Sequence, residues 1–327
     1  MPEKIVPPVL SCVRDTFDER DYKYEDVMGA APPDMPSILA GYDVEVRFGP
    51  LPDHPQGSAY DCVGEGSSQD HNMSIKIVTG RDVVLSARDI YSQIFIGSGG
   101  SSPREAYKLA NKVGVVEDKF LPTRPNGQVL TEEFARKRDD LLPGATYWKI
   151  GPYYSITTGG IQAMAQAIFV NHGCGGAYFP DSGAMGHFIF FRGYGMYNGY
   201  KAMLYRDSYS PFKKWLYQDG RGDWFLQDGT PVDLAGIWTA EPGDWPPYQK
   251  KEVTEEMLRI VWLNSPDLQK EFPGPAFLSS NGYWRGQWAM DNYEDFIIRY
   301  KKFSQLSSEK PKTLIQTLWD FLKGLFL

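Results

Sequence analysis

A peptide bond can be broken with a thiol to attack it, an imidazole to take the thiol proton, and a third group to orient the imidazole. The chain offers these as Cys62, His187 and Asp207, with Gln56 six residues before the cysteine. Cys62 at the first turn of a helix would have its thiolate stabilised by the unpaired backbone N–H groups and the helix dipole. Gln56, on a turn, would return its side-chain amide to the same spot as an oxyanion donor. His187 begins an apolar strand, Phe188-Ile189-Phe190-Phe191, and Asp207 ends the next one after Leu204-Tyr205-Arg206. Cys12 and Cys174 read as small buried hydrophobes. His54, His71 and His172 lack spacing partners and read as surface or local hydrogen-bonding groups.

These residues need elements to hold them. A helix is expected from Cys62 to Ile77, although Gly64 and Gly66 weaken it by roughly 1 kcal/mol each. Ser86 is an N-cap for a helix reaching Ile94. Another runs from Pro103 to Val113, with Pro in its first turn and Gly114 closing it. After about residue 140, Tyr147–Ile150, Ala177–Phe179, His187–Arg192, Tyr200–Arg206 and Trp224–Gln227 read as strands, with a helix at Ile161–Val170 among them. Helices first and an antiparallel sheet later is an α+β arrangement. The alternation of side chains along a strand imposes a further condition. A tight Asn198-Gly199 turn would put His187 and Asp207 on opposite faces, so the reading requires a wider loop at about Gly195–Gly199 or an equivalent bulge.

Four landmarks in order resemble a papain-like cysteine peptidase: Gln56 to Cys62, the distant His187, the strand ending Gly193-Tyr194-Gly195, and Asp207. Leu85-Ser86-Ala87-Arg88-Asp89 is similar to that family's Leu-Ser-Glu-Gln-Glu, and Gly99-Gly100 to its cleft-lining Gly-Gly. The separations from Cys62 to His187 and Asp207 also fall in or near the family's range. The resemblance covers about residues 45–240. It implies a two-lobed fold, a helical left lobe carrying the Cys helix and an antiparallel, barrel-like right lobe. It also implies a Cys62-His187-Asp207 triad with Gln56 as oxyanion donor, and a substrate cleft lined by Gly99, Gly100, Gly186 and Tyr209.

The departures are specific. The family's Asn is Asp207, its shielding Trp is Tyr209, and the Trp after its nucleophile is Val63. Aspartate can still orient the imidazole. The family's cleft disulfide would need cysteines at Ala59 and Gly97, and both are absent. No helical inhibitory propeptide is readable, so any autoinhibition must come from residues 1–50 or from the C-terminal extension.

The 327 residues, with 42% hydrophobic and 23% charged side chains, describe a globular chain able to bury a sizeable core. A net charge of −7 without a Lys/Arg block excludes a nucleic-acid scaffold. No stretch is apolar for the roughly 20 residues that span a membrane, and no secretory signal is visible. Three cysteines cannot build a disulfide framework, so a reducing, cytoplasmic compartment is expected. No zinc spacing or phosphate loop is present, and neither a metal nor an organic cofactor is required. The expected organisation is an irregular segment at 1–50 packed on the body, a helical lobe at 51–140, a β-rich lobe at 141–245, and a helical extension at 246–327. Within the extension, Val253–Leu263, Tyr293–Phe303 and Thr313–Leu327 read as helices, the last packing on the body or a protein partner.

The expected activity is endopeptidase hydrolysis of a polypeptide or peptide. Alternatives are a cell-wall stem-peptide endopeptidase with the same triad, transglutaminase chemistry, or a binding or structural protein that keeps the fold without turnover.

Overall fold

The computed structural model describes residues 10–16, 18–53, 55–97, 99–124, 131–156, 160–180, 183, 185–245, 255–271 and 293–308. His54 and the expected helix Thr313–Leu327 lie outside them. The chain divides into two units, Met1–Tyr248 and Gln249–Leu327.

The first unit opens with β1 (Cys12–Val13), α1 (Tyr24–Val27), β2 (Tyr42–Asp43) and α2 (Val44–Phe48). Three helices follow: α3 (Cys62–Thr79), α4 (Ala87–Ile94) and α5 (Pro103–Lys112). Next come β3 (Val115–Val116), α6 (Glu132–Ala135), β4 (Tyr147–Trp148), β5 (Tyr153–Ile156) and α7 (Ile161–Val170). The unit ends in β6 (Cys174–Pro180), β7 (Met185–Tyr197), β8 (Tyr200–Arg206), β9 (Lys213–Gln218), β10 (Trp224–Leu226) and β11 (Pro231–Ala240). This is the expected α+β order.

Local chemistry sets the helix ends. The Ser86 hydroxyl accepts from the Asp89 N–H at 3.0 Å, and Ser102 caps α5 through the Glu105 N–H. Gly114, at φ +91°, ends α5 by donating its N–H to the Leu109 carbonyl. Gly64 and Gly66 do not break α3, because the helix needs them for close packing. A Cβ on Gly64 would come within 2.6 Å of the Ala87 carbonyl, and one on Gly66 within 2.6 Å of the Phe188 ring. Burying α3 against α4 and β7 outweighs the lost propensity.

The strands close into an antiparallel ring: β7 pairs with β6, β6 with β11, β11 with β10, β10 with β9, β9 with β8, and β8 again with β7. One core, including Ile189, Phe191, Met203 and Leu216, lies with the ring and α7. A second, including Val63, Ile90, Tyr107, Phe188 and Trp238, joins the helices to the sheet.

The β7–β8 hairpin resolves the register condition. Tyr197 pairs with Tyr200 across Asn198 and Gly199, both at positive φ, so the turn is tight and the wider loop does not form. The alternative device is present, because the register shifts between Phe191 and Gly193 and leaves Arg192 as a bulge. Below it Phe190 faces Arg206, so His187, Ile189 and Asp207 share a face.

The irregular reading of residues 1–50 is corrected in part. β1 pairs with β7 at Met185 and Gly186, and β2 pairs with β7 at Gly193 and Tyr194. Ser11 and Cys12 are fully buried, so this segment runs inside the protein. Sequence reading also omits β9 and the long β11, whose polar and Gly-containing stretches lack clean alternation.

In the second unit, α8 (Glu255–Leu263), α9 (Pro266–Glu271) and α10 (Tyr293–Ser308) gather Leu258, Val261, Leu268 and Phe296 into a small core. Arg299 ties α10 to α9 through Asp267 at 2.7 Å. Among the described residues no helix is long and apolar enough to cross a membrane.

Candidate active site

Cys62 is the first residue of α3, with Asp61 at the N-cap position. Its sulfur is therefore next to the backbone N–H groups that the first helical turn leaves unpaired. The helix axis contributes a positive end at the same place.

His187, on β7, is fully buried. Its Nε2 meets Asp207 Oδ1 at 2.8 Å. Nδ1 is buried and has no hydrogen-bond partner among the described residues. The Cys62 thiol lies within interacting range of the ring. Burial works to lower the imidazole, but the Asp207 carboxylate, and after it Cys62, outweigh burial and hold it up at about 9. Tyr178 packs edge-on to the ring, and Tyr209 covers it at a centroid distance of 5.5 Å.

Asp207 follows β8 directly. Besides His187, its Oδ1 accepts from the Tyr209 N–H at 3.0 Å, and its Oδ2 accepts from Lys214 Nζ at 2.7 Å. Burial raises this carboxyl, while His187 and then Lys214 overcome that effect and hold it below the ordinary carboxylate value. An ionised Asp207 thus fixes the imidazole with Nε2 as the donor.

Gln56 is anchored to the same corner. Its N–H donates to the Ser208 carbonyl, its Oε1 accepts from the Ser208 hydroxyl at 2.8 Å, and Nε2 donates to the Ala59 carbonyl at 2.6 Å. With Oε1 occupied, the amide must present N–H groups toward the Gly57–Cys62 turn. Tyr209 closes this corner by donating its hydroxyl to the Gly57 carbonyl.

The expected cleft walls enclose a segment of the chain itself. Ser11 donates its N–H to the Gly186 carbonyl and accepts from the Ser101 N–H. Its hydroxyl donates to Cys62 Sγ at 3.0 Å. Gly100, at φ +82°, presses so closely on the Ser11 carbonyl that a Cβ there would collide with it. Gly99, at φ +92°, faces Tyr60 and Arg136 instead. Gly186 has no room for a side chain either, since a Cβ would lie 2.6 Å from the Tyr178 carbonyl. Downstream, Asp15 pins the segment, accepting from Ser102 and from Trp238 Nε1.

The two remaining cysteines are buried and free. His71 is buried with burial pushing it down to about 3, and His172 is lowered to about 4 by burial and then by Arg47, so both are neutral near pH 7. Asp61 is fully buried, and neither carboxyl oxygen has a hydrogen-bond partner among the described residues. Burial, and then Glu65, push it well up. Lys214, Ser11 and Ser208 are contributors that sequence reading missed. None of them left a local signal; Lys214 lies in β9, a strand whose sequence lacks clean alternation. No group of three or more His, Cys, Asp or Glu among the described residues is arranged to hold a metal ion.

No protein-family model and no curated protein matches the chain. Solved structures do. Xylellain, a cysteine protease from Xylella fastidiosa, aligns over 72% of this chain and 96% of its own at 18% identity and a TM-score of 0.49. Procathepsin B S9 from Trypanosoma congolense aligns over 73% of this chain and 85% of its own at 13% identity and a TM-score of 0.47. The cysteine protease CMS1MS2 of Carica candamarcensis, solved with E-64, aligns over 62% of this chain and 98% of its own at 16% identity and a TM-score of 0.48. The similarity is low in each case, and the chemistry of the site rests on its geometry. In fold, the α+β body with its Cys helix and strand ring is similar to papain-like cysteine proteases.

Proposed function

We propose that the chain is a cysteine peptidase that hydrolyses peptide bonds through Cys62, His187 and Asp207. The observation that carries this reading is the orientation of His187. One ring nitrogen is held by Asp207 at 2.8 Å, while the other is left without a partner on a ring within range of the Cys62 thiol. His71 also leaves a buried ring nitrogen without a partner, so what sets His187 apart is the combination of a carboxylate on one nitrogen and a thiol in range of the ring.

The reaction follows from those positions. His187 Nδ1 takes the thiol proton, and the Cys62 sulfur bonds to the peptide carbonyl carbon. The carbonyl oxygen, now negative, is received by the Cys62 backbone N–H and by the Gln56 amide. The imidazolium returns its proton to the leaving nitrogen as the C–N bond breaks, leaving a thioester on Cys62. Water, deprotonated by His187, then attacks the thioester and frees the thiol. Asp207 keeps the ring in register and stabilises its cationic form throughout.

The Ser11 segment describes a closed resting state of this site. Ser11 fills the position from which a substrate carbonyl would approach Cys62, so access requires the segment to leave.

Hydrolysis of a quenched-fluorescence peptide mixture and of casein tests the proposal. The wild type should cleave and Cys62→Ala should not. Release of soluble peptides from cell walls without casein cleavage would move the substrate to stem peptides. Incorporation of an amine into protein without hydrolysis would move the chemistry to transamidation.

A further inference from the structure

We infer, on the reading that Cys62, His187 and Asp207 form a working site, that Lys214 is a positioning residue that allows an aspartate to orient His187 in a fully enclosed place. Asp207 and Lys214 are almost completely buried, and their ion pair is 2.7 Å long. His187, on the other carboxylate oxygen, is buried too. A neutral amide at position 207 would orient the ring without adding charge. A carboxylate instead adds a buried negative charge, and an isolated buried charge is strongly unfavourable. Lys214 supplies the compensating charge from the neighbouring strand.

Backbone geometry makes this a built feature. Asp207 donates its N–H to the Phe212 carbonyl, closing the loop from β8 to β9. Tyr205 pairs with Lys214 and Arg206 with Lys213, so the two lysines leave opposite faces of β9. Lys213 reaches Glu45 at 3.0 Å and is largely exposed, whereas Lys214 turns inward to Asp207. The charges then run Lys214, Asp207, His187, Cys62. When the thiol proton is on the imidazole they alternate in sign, and the row is neutral. Without Lys214 the row carries a net negative charge, which favours the proton staying on His187 and opposes its return to the leaving nitrogen.

A charge cycle tests this: Asp207→Asn, Lys214→Met and the double variant. Each single variant buries one charge without its partner. The double variant buries neither and keeps Asn as an acceptor for His187, so it retains the fold where a single variant does not. Two readouts apply to each, the rate of Cys62 alkylation by iodoacetamide and the titration midpoint of His187 by nitrogen NMR. The groups facing this ring are Cys62 from α3, Tyr178 from β6, Asp207 and Tyr209, with Tyr205 from β8 and Lys214 from β9 acting on Asp207.

Lys214→Met should move the His187 midpoint upward. Asp207→Asn, which leaves Lys214 buried beside an imidazole that has lost its counter-charge, should lose roughly tenfold or more in alkylation, whereas Lys214→Met, which keeps the proton on His187, should not slow it. The double variant should recover most of that loss. A His187 midpoint unchanged in Lys214→Met, with a double variant no faster than Asp207→Asn, would overturn the role of Lys214 while the wild type stayed reactive. Absent His187-dependent alkylation in the wild type, with the His187 midpoint still shifted by Lys214→Met, would uphold the charge coupling and remove the peptidase reading.

Discussion

Ser11 Oγ lies 3.0 Å from Cys62 Sγ and donates to it, although the two residues are 51 positions apart. The segment that carries Ser11 pairs with Gly186 on one side and Ser101 on the other, so it spans the two walls of the site.

Replacing Ser11 with proline removes both its hydroxyl and the N–H that Gly186 accepts. Two hydrogen bonds of about 1 kcal/mol each correspond to a roughly tenfold or greater gain in opening of the segment. Alkylation of Cys62 by iodoacetamide should accelerate by about that factor in Ser11→Pro. An unchanged rate would mean that the segment does not limit access to the thiol.

Gly186 precedes His187 and has no space for a side chain. In Gly186→Ala the new methyl would meet the Tyr178 carbonyl at 2.6 Å and the Phe179 ring at 2.7 Å. Relief requires β7 to move from β6, costing about 1–3 kcal/mol in stability. His187 would move with its strand, so Cys62 reactivity should fall as well. Chemical denaturation together with alkylation kinetics would reveal both losses, and a stable, fully reactive variant would contradict the packing.

Asp70 and His71 are adjacent, buried in α3, and opposed in their pH dependence. Burial raises Asp70 from 3.8 to about 7, although Tyr107 donates to it. The folded state therefore binds the extra proton between these values, and this contribution to stability falls as pH rises, by at most about 1.4 kcal/mol per unit. Burial lowers His71 from 6.5 to about 3, so its contribution is lost as pH falls through that window. The two slopes offset each other between about pH 4 and 6.5. Asp70→Asn keeps an acceptor for Tyr107 and removes the first slope. Its Tm should gain on the wild type as pH rises from about 5 to about 7.5. A difference that stays flat across that range would contradict the assignment.

Much of this arrangement was readable before any coordinates. Cys62, Gln56, His187 and Asp207 stand out because their types and order match one chemistry, Ser86 marks a helix start by simple capping, and Pro103 and Gly114 bracket the next helix. The parity of the β7–β8 hairpin also showed that a tight Asn198-Gly199 turn needed a compensating residue. It did not identify Arg192, since a bulge is set by pairing partners that lie far away in sequence. Arg192 bonds to Glu45 and Asp43, contacts between segments about 150 residues apart. Ser11 was unreadable for the same reason. Nothing local distinguishes a serine in a Pro-rich leader from one that reaches the nucleophile. β11 was missed because its pattern is broken by Asp233 and Gly236, and its neighbours β5, β6 and β10 supply the order that its sequence lacks.

The most direct test of the account is labelling by an epoxide or vinyl-sulfone probe, read by peptide mass mapping. Wild type and Ser11→Pro would be compared with Cys62→Ala and His187→Ala, all checked for folding. The account predicts a single adduct on Cys62, faster in Ser11→Pro, lost in Cys62→Ala and strongly reduced in His187→Ala. Labelling of Cys62 at the same rate with and without His187 would contradict it, because the thiol would then owe nothing to the imidazole.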